Sequence, residues 1–223
     1  MNERKEFENF LSTIDLKKYR EQYSKIKSVE EDLPKNIQIL KLIYKTYWEN
    51  KKFTDYDSFW DMYFELYEKL LIDYNIKRNG NSIHSDNAYL AFLDGLKARL
   101  YRTWASILGQ IQLGYVIKSI YPDREVLMSA ELDWGGVDIR VVGYEDYDVK
   151  KITKRKDIKT ERINNKETIK IRYYVPSRDV IENPYLKNGE YCKPYLDFKK
   201  DNTLDILPNG FVIFTENVIL KNE

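Results

Sequence analysis

The stretch ELDWGGVDIRVVGYEDYDVKK, residues 131–151, sets Asp133, Asp138 and Asp148 around an apolar alternation of Val137, Ile139 and Val141, and places Lys150 two residues after Asp148. Residues 137–141 read as a strand, 143–146 as a glycine-marked turn and 147–152 as the returning strand. Asp138 and Arg140 then face away from the apolar side, and Asp148 and Lys150 share one face of the second strand. If the two faces match, two carboxylates and an ammonium converge at the mouth of the hairpin. That trio suits metal-dependent cleavage of a phosphodiester. Carboxylate oxygens suit Mg²⁺, which keeps several waters and takes a phosphate oxygen as a further ligand. The metal polarises the phosphoryl group and acidifies a water. A lysine can orient that water and stabilise the added negative charge of the pentacovalent state. The competing reading is a solvated hairpin whose Asp and Lys side chains pair across the strands.

Asp138, nine residues, then Asp148-Val149-Lys150 matches the loose form of the PD-(D/E)XK nuclease signature, with Gly136-Val137 standing near the first Asp in place of its Pro. The signature makes Asp138, Asp148 and Lys150 candidate catalytic residues and Asp138 and Asp148 candidate metal ligands; Asp133, outside it, is a further candidate for both roles. Asp133 precedes Gly135-Gly136, where Asp is also an ordinary turn residue; its functional alternative is a ligand through water or an orienting group. Glu131 reads as structural. The segment KKITKRKDIKTER follows at once and concentrates Lys150, Lys151, Lys154, Arg155, Lys156, Lys159 and Arg162. Phosphate backbones attract such blocks in a salt-sensitive way, so Lys151, Lys154, Arg155 and Lys156 are candidate DNA contacts; a solvated loop is the alternative. Arg178, with Tyr173, Tyr174, Tyr185 and Lys187, lies beyond the hairpin in a region that could read base edges. Gln110 and Gln112 could support the metal ligands from a helix, packing or solvent contact being the alternative. Arg99 and Arg102 could touch phosphate or pair with carboxylates.

The elements that must hold these residues change period near Pro122. Before it the apolar spacing is helical: Phe7, Phe10 and Leu11; then Ile37, Leu40, Ile43 and Tyr44, with Pro34 at an early helical position; then Phe59, Met62, Tyr63, Leu66, Tyr67, Leu70 and Leu71. Asn79-Gly80 marks a turn and Ser85 or Asp86 could cap the next helix. That helix keeps positions 89, 93, 96, 100, 104, 107, 111 and 115 on one apolar face until Pro122, and its wide apolar circumference predicts a central helix packed on a sheet. After Pro122 the period is two, at Val126 and Met128, at 137–141, and at Ile169, Ile171 and Tyr173. Asn209-Gly210 precedes FVIFT, a buried strand. Residues 176–208 read as loop with a short helix. The expected fold is α+β: an N-terminal helical region and a mixed sheet, forming a single domain over 1–223, with 1–122 mainly helical and 123–223 the sheet-containing catalytic part.

The 223 residues, 43% hydrophobic and 14% aromatic, suffice for one large domain with a core of its own. Lys+Arg 37 against Asp+Glu 36 leaves a net charge of +1, so only the local basic block argues for a polyanion. Cys192 is the single cysteine, which rules out an intrachain disulfide and a cysteine-cluster metal site and suits a reducing cytoplasm. His84 is the single histidine, so multi-histidine metal sites are excluded. MNERKEFENF has no apolar core of a signal peptide, and no apolar run reaches roughly 18 residues; a cytoplasmic protein with no membrane partner is expected.

Four stretches carry a likeness to a known family: FLSTIDLKKYREQYSKIKSVEEDLP, ARLYRTWASILGQIQLGYV, SAELDWGGVDIRVVG and NGFVIFT. Together they make the chain resemble the TaqI-type restriction endonucleases, a branch of the PD-(D/E)XK group, and YRTWAS followed by SAELDxxGVDxRV is far more specific than the nuclease signature alone. The resemblance implies a PD-(D/E)XK type sheet core. It implies a homodimeric type II endonuclease that cuts double-stranded DNA within the palindrome TCGA, uses Mg²⁺ and is paired genetically with a DNA methyltransferase. It carries Asp133 and Asp138 onto the acidic positions of the ELDxxGVD motif and leaves Lys150 and Lys151 as alternatives for the lysine; the gap after Gly143 is short for the family, and Asp148 stands where an amide is expected. Hydrolysis displacing the 3′ oxygen would leave 5′-phosphate ends. The competing classes are a nucleic-acid-binding protein without catalysis, whose working part is the basic block, and an interaction domain with tyrosine-rich surfaces.

Overall fold

The first two helices each begin at a polar side chain that caps them. In the computed structural model, which describes residues 2–27, 29, 33–79, 86–154, 159–162 and 168–220, Asn2 caps helix α1 (Glu3–Thr13) and Asp15 caps α2 (Leu16–Tyr23), their side chains accepting from Arg4 N–H and Lys18 N–H. A 3₁₀ turn at Lys35–Ile37 follows Pro34, and α3 (Leu40–Ile43) runs on as a π-helical stretch, Tyr44–Glu49. Pro34 thus precedes the 3₁₀ turn instead of opening α3, because extended Gln38 separates the two. Helix α4 is Tyr56–Asn79 and α5 is Asp86–Ile120; α5 stops two residues before Pro122, as the steric demand of a proline on its predecessor requires. The expected caps of α5 fall on or beside residues 80–85, and His84 and Ser85 lie outside the described residues.

Strand β1 (Val126–Leu127), the short helix α6 (Ala130–Trp134), β2 (Ile139–Val141), β3 (Glu145–Lys151), β4 (Lys159–Arg162) and β5 (Thr168–Tyr173) come next. Then follow α7 (Arg178–Glu182), α8 (Lys193–Asp201), β6 (Leu204–Ile206), β7 (Val212–Phe214) and α9 (Asn217–Leu220). The main sheet has the order β1-β2-β3-β5-β4. Its pairs are antiparallel except β3 with β5, which are parallel. The expected α+β class with a mixed sheet is what forms. Three local readings change. Residues 176–208 are not mostly loop: they hold two helices and β6. The FVIFT strand pairs with β6 in a separate two-stranded sheet. Beyond the expected returning strand, the basic block holds one more strand, β4, which pairs with β5.

The chain divides into two compact units, Met1–Ile14 with Gly109–Glu223, and Asp15–Leu108. In the second, tyrosines fill the core, and three of them keep their hydroxyls bonded: Tyr47 accepts from Trp104 Nε1 at 2.9 Å and donates to Thr54 O at 2.7 Å, Tyr56 donates to Lys97 O and Tyr63 to Ile37 O, each at 2.6 Å. On α4, Phe59, Tyr63 and Leu71 are buried, but Leu66 and Leu70 are exposed, so the apolar stripe expected there is only partly core. In the first unit every α5 residue from 111 to 117 is buried, which makes that end of α5 a central helix. Its buried Gln112 accepts from Phe214 N at 2.8 Å and donates to Phe214 O at 3.0 Å and to Glu8 Oε1 at 2.9 Å. The amide thereby ties α5 to β7 and α1. Among the described residues no helix is long and apolar enough to cross a membrane.

Candidate active site

The site is built where β2 begins. Ser129 caps α6 by accepting from Leu132 N–H at 3.2 Å. The helix closes through Gly135 and Gly136, the latter at φ +81° and donating to Asp133 O at 2.9 Å, the left-handed ending that glycine adopts without strain. Val137 N–H turns back to Leu132 O at 3.0 Å, so Val137 finishes α6 and the strand expected from residue 137 starts at Ile139. Asp138 N–H still reaches Tyr147 O at 2.9 Å. Beyond that point the β2 edge of β3 is no longer paired, and the Val149 N–H donates instead to Asp138 Oδ2 at 2.6 Å. Gln110 of α5 donates from Nε2 to Asp138 Oδ1 at 3.2 Å. Two donors from separate elements therefore fix the carboxylate.

The register Ile139↔Tyr147 and Val141↔Glu145 fixes the faces. Ile139, Val141, Tyr147 and Val149 are buried on one side. Asp138, Arg140, Asp146, Asp148 and Lys150 lie on the other. The turn is shorter than expected: it spans 142–144, and Asp146 is already in β3. Asp146 is taken by Arg140 in a two-pronged pair, Nε to Oδ1 and Nη2 to Oδ2, each at 2.7 Å. The cross-strand pairing offered by the solvated-hairpin reading is thus real for Arg140 and Asp146, and it leaves Asp138 and Asp148 out.

Burial is the main reason the Asp138 carboxyl is pushed up to about 7; the Val149 N–H opposes the shift, the charges of Asp133 and Asp148 add to it, and Arg172 opposes it. Asp148 accepts from Arg172 Nη2 at 2.7 Å, and its main-chain oxygen accepts from Nη1 at 3.1 Å. Lys150, exposed, follows Asp148 on the same face and is in register with Arg172 across the parallel pair. Lys151 is exposed on the opposite face at the end of β3. Tyr173 is pushed up to about 12 by burial first and by the Asp138 charge second, and its ring packs edge-on against Phe214 at 4.9 Å.

Asp138, Asp148 and Lys150 thus share one sheet face, and the charge of Asp133 is felt at Asp138. Among the described residues, however, no three His, Cys, Asp or Glu side chains close into a ready-made metal cage. The donor set fits Mg²⁺ in the looser way that ion uses: one or two carboxylates, with waters and substrate phosphate completing the shell. The buried Gln110 Oε1, which has no hydrogen-bond partner, is a further neutral oxygen beside Asp138. Of the expected DNA contacts, Lys154 is exposed just past β3, Arg155 and Lys156 lie outside the described residues, and Arg178 is paired along α7 with Glu182 at 2.6 Å. Gln112 serves packing, as its alternative reading had it, and Arg99 donates to Val29 O at 3.1 Å. Arg172 was missed in the sequence. The alternation Thr168-Ile169-Lys170-Ile171-Arg172 puts it opposite the buried Ile169 and Ile171, but only the parallel register with β3 aims it at Asp148.

The TaqI restriction endonuclease family matches residues 4–222. The type II restriction enzyme TaqI of Thermus aquaticus is 32% identical over 232 residues, covering 97% of this chain and 85% of that enzyme. The type II restriction enzyme TthHB8I of Thermus thermophilus is 30% identical over 229 residues, covering 96% of this chain and 84% of its own length. No solved structure matches the chain. With its likeness to named type II enzymes running through nearly all of its length, the chain belongs to the TaqI restriction endonuclease family.

Proposed function

We propose that the protein is a type II endonuclease that hydrolyses phosphodiester bonds of double-stranded DNA at the palindrome TCGA, with Mg²⁺, from a homodimer whose two-fold axis matches that of the site. The observation that carries the chemistry is the Asp138 carboxylate, held by Val149 N–H and Gln110 with Asp148 and Lys150 on the same sheet face. Family membership supports DNA as substrate; the ELDxxGVD match supports the palindrome and a cognate methyltransferase as genetic partner. A cytoplasmic setting, with 1–223 acting as one catalytic domain, completes the reading.

Asp138 and Asp148 would hold the metal, with Asp133 oriented beside them. When bound, Mg²⁺ supplies a polarised phosphoryl oxygen and a more acidic water. Lys150 donates to the attacking water and to a non-bridging phosphate oxygen, stabilising the charge that grows in the transition state. The water oxygen forms a bond to phosphorus and gives up a proton to solvent, the P–O3′ bond breaks, and the departing 3′ oxygen takes a proton from solvent, leaving a 3′-hydroxyl and a 5′-phosphate. Lys151, on the opposite face at the end of β3, and Lys154, just past the strand, are both exposed and would meet the phosphate backbone.

The test is incubation of a plasmid of known sequence with the wild type and with Asp138→Ala, in Mg²⁺ and in EDTA. Discrete fragments ending at TCGA, from the wild type with Mg²⁺ only, are the expected result. Fragments ending elsewhere remove the specificity and keep the nuclease. Salt-sensitive binding with no product under any divalent cation would make the protein a non-catalytic DNA binder.

A further inference from the structure

Asp148 does not wait in the site with a free carboxylate. Arg172 reaches it from the neighbouring strand with a fork: Nη2 to Oδ2 at 2.7 Å and Nη1 to the Asp148 main-chain oxygen at 3.1 Å. Both side chains are largely shielded, 14% and 28% exposed. An ion pair shielded to this degree adds little net stability over an apolar pair of the same shape, so stability alone does not account for one beside Asp138. The parallel register sets Arg172 across from Lys150, on the face that carries Asp138 and Asp148. A guanidinium there has two acceptors in reach of one side chain: the aspartate now, and a phosphate oxygen once a backbone lies along the face. Its planar fork suits either oxyanion.

We propose that Arg172 is a built-in counter-ion of the active site, competing with the divalent cation for Asp148 in the free protein and passing to the phosphate when DNA arrives. This inference rests on the nuclease reading above and deepens it. Its physical logic is charge balance. In the free protein the guanidinium neutralises a carboxylate that shares its sheet face with Asp138, and it weakens cation binding by adding a like charge to the site. Arriving phosphate draws the guanidinium away, and Asp148 is released to the metal in the same event. Metal and DNA binding are thereby coupled, and metal is held firmly only when there is a bond to cut.

Arg172→Gln keeps a side chain of similar reach with hydrogen-bonding capacity and removes the charge. Titration calorimetry with Mg²⁺ alone, at fixed pH and ionic strength, should give a Kd tightened on the order of tenfold, the effect of removing one partly screened like charge. Single-turnover cleavage at saturating Mg²⁺ should fall roughly 10²-fold, as expected when a donor to the developing charge is lost. Arg172→Lys, which keeps the charge and loses the fork, should lie between the wild type and Arg172→Gln in both. A merely structural arginine would weaken metal binding and cleavage together; opposite signs are the signature of competition. A cooperatively melting Arg172→Gln with an unchanged or weaker Mg²⁺ Kd, or with undiminished cleavage, overturns the proposal. If Arg172→Gln does not fold, Arg172→Lys decides, and a wild-type Mg²⁺ Kd in that variant overturns the proposal equally. A wild type that neither binds Mg²⁺ nor cuts plasmid removes the nuclease reading and this inference with it. A wild type that does both, beside an unaltered Arg172→Gln Kd, removes the inference alone.

Discussion

Asp138 combines two properties that work against each other. Burial favours its protonated form, and the metal binding proposed for it needs it ionised. Its carboxyl is raised from 3.8 to about 7 in the fold, so between those values the folded state binds a proton that the unfolded chain has lost. Stability from this group is therefore present at low pH and is lost as pH rises through that window. Asp138→Asn removes the cost of the buried charge. It should stabilise the protein at pH 8 by on the order of 2 kcal/mol, with the gain gone near pH 4, as read from unfolding midpoints across pH. The same variant should not cut DNA. In the wild type, Mg²⁺ binding below pH 7 should release close to one proton per site, which shows as a dependence of the calorimetric heat on the buffer's ionisation enthalpy. Heats independent of buffer at pH 6 would remove Asp138 from the metal site. The two lysines separate at this scale as well. Lys150→Ala should lose at least about 10²-fold in cleavage rate, and Lys151→Ala should keep most of it, because only Lys150 follows Asp148 on the same face of β3. Equal losses in both variants would contradict that assignment.

At the scale of elements, α6 and its glycine ending matter as much as the strands. Gly136 sits at φ +81°, a conformation that costs a residue with a Cβ about 1–2 kcal/mol. No atom lies close to where that Cβ would be, so Gly136→Ala should fold with a strained or rebuilt 133–138 loop. Its expected mark is reduced cleavage with DNA affinity kept, measured by single-turnover kinetics beside a binding titration. Gln112 presents the opposite case, a buried amide far in sequence from the strand it serves. Gln112→Leu leaves Glu8 and the Phe214 main chain without that partner and should destabilise the protein by roughly 1–3 kcal/mol in urea unfolding. A neutral outcome would mean that water replaces the amide.

At the scale of the whole molecule, a net charge of +1 gives little general attraction for DNA. The attraction must come from a local face, so binding should weaken steeply with salt even though the chain is nearly neutral. Two-fold recognition of a palindrome predicts the mass of two chains in sedimentation equilibrium; a single-chain mass at concentrations that support cleavage would contradict the homodimer.

The sequence by itself determined what depends on neighbours along the chain. Alternating Ile139 and Val141, and Tyr147 and Val149, set one buried face, and the two-residue period then obliged Asp148 and Lys150 to share the other. The glycines marked the turns, and Pro122 marked the change from helix to sheet. It missed local detail where a main-chain bond overrode pattern: Val137 looked like strand but closes α6, and Gln38 broke a stripe that looked continuous. Residues 176–208, rich in turn formers, concealed β6, because a three-residue strand has too little alternation to read and is stabilised by its partner β7. Only the tertiary structure decided how far Asp138 is buried, since Gln110 arrives from a helix 28 positions earlier. Arg172, 24 positions after Asp148, is set beside it by the parallel β3–β5 register. That register is a non-local choice made by packing, since a one-residue slip would have turned Arg172 to the buried side. The residues able to do chemistry were legible because spacing on one hairpin is local physics, and their partners were not because burial and strand register belong to the assembled fold.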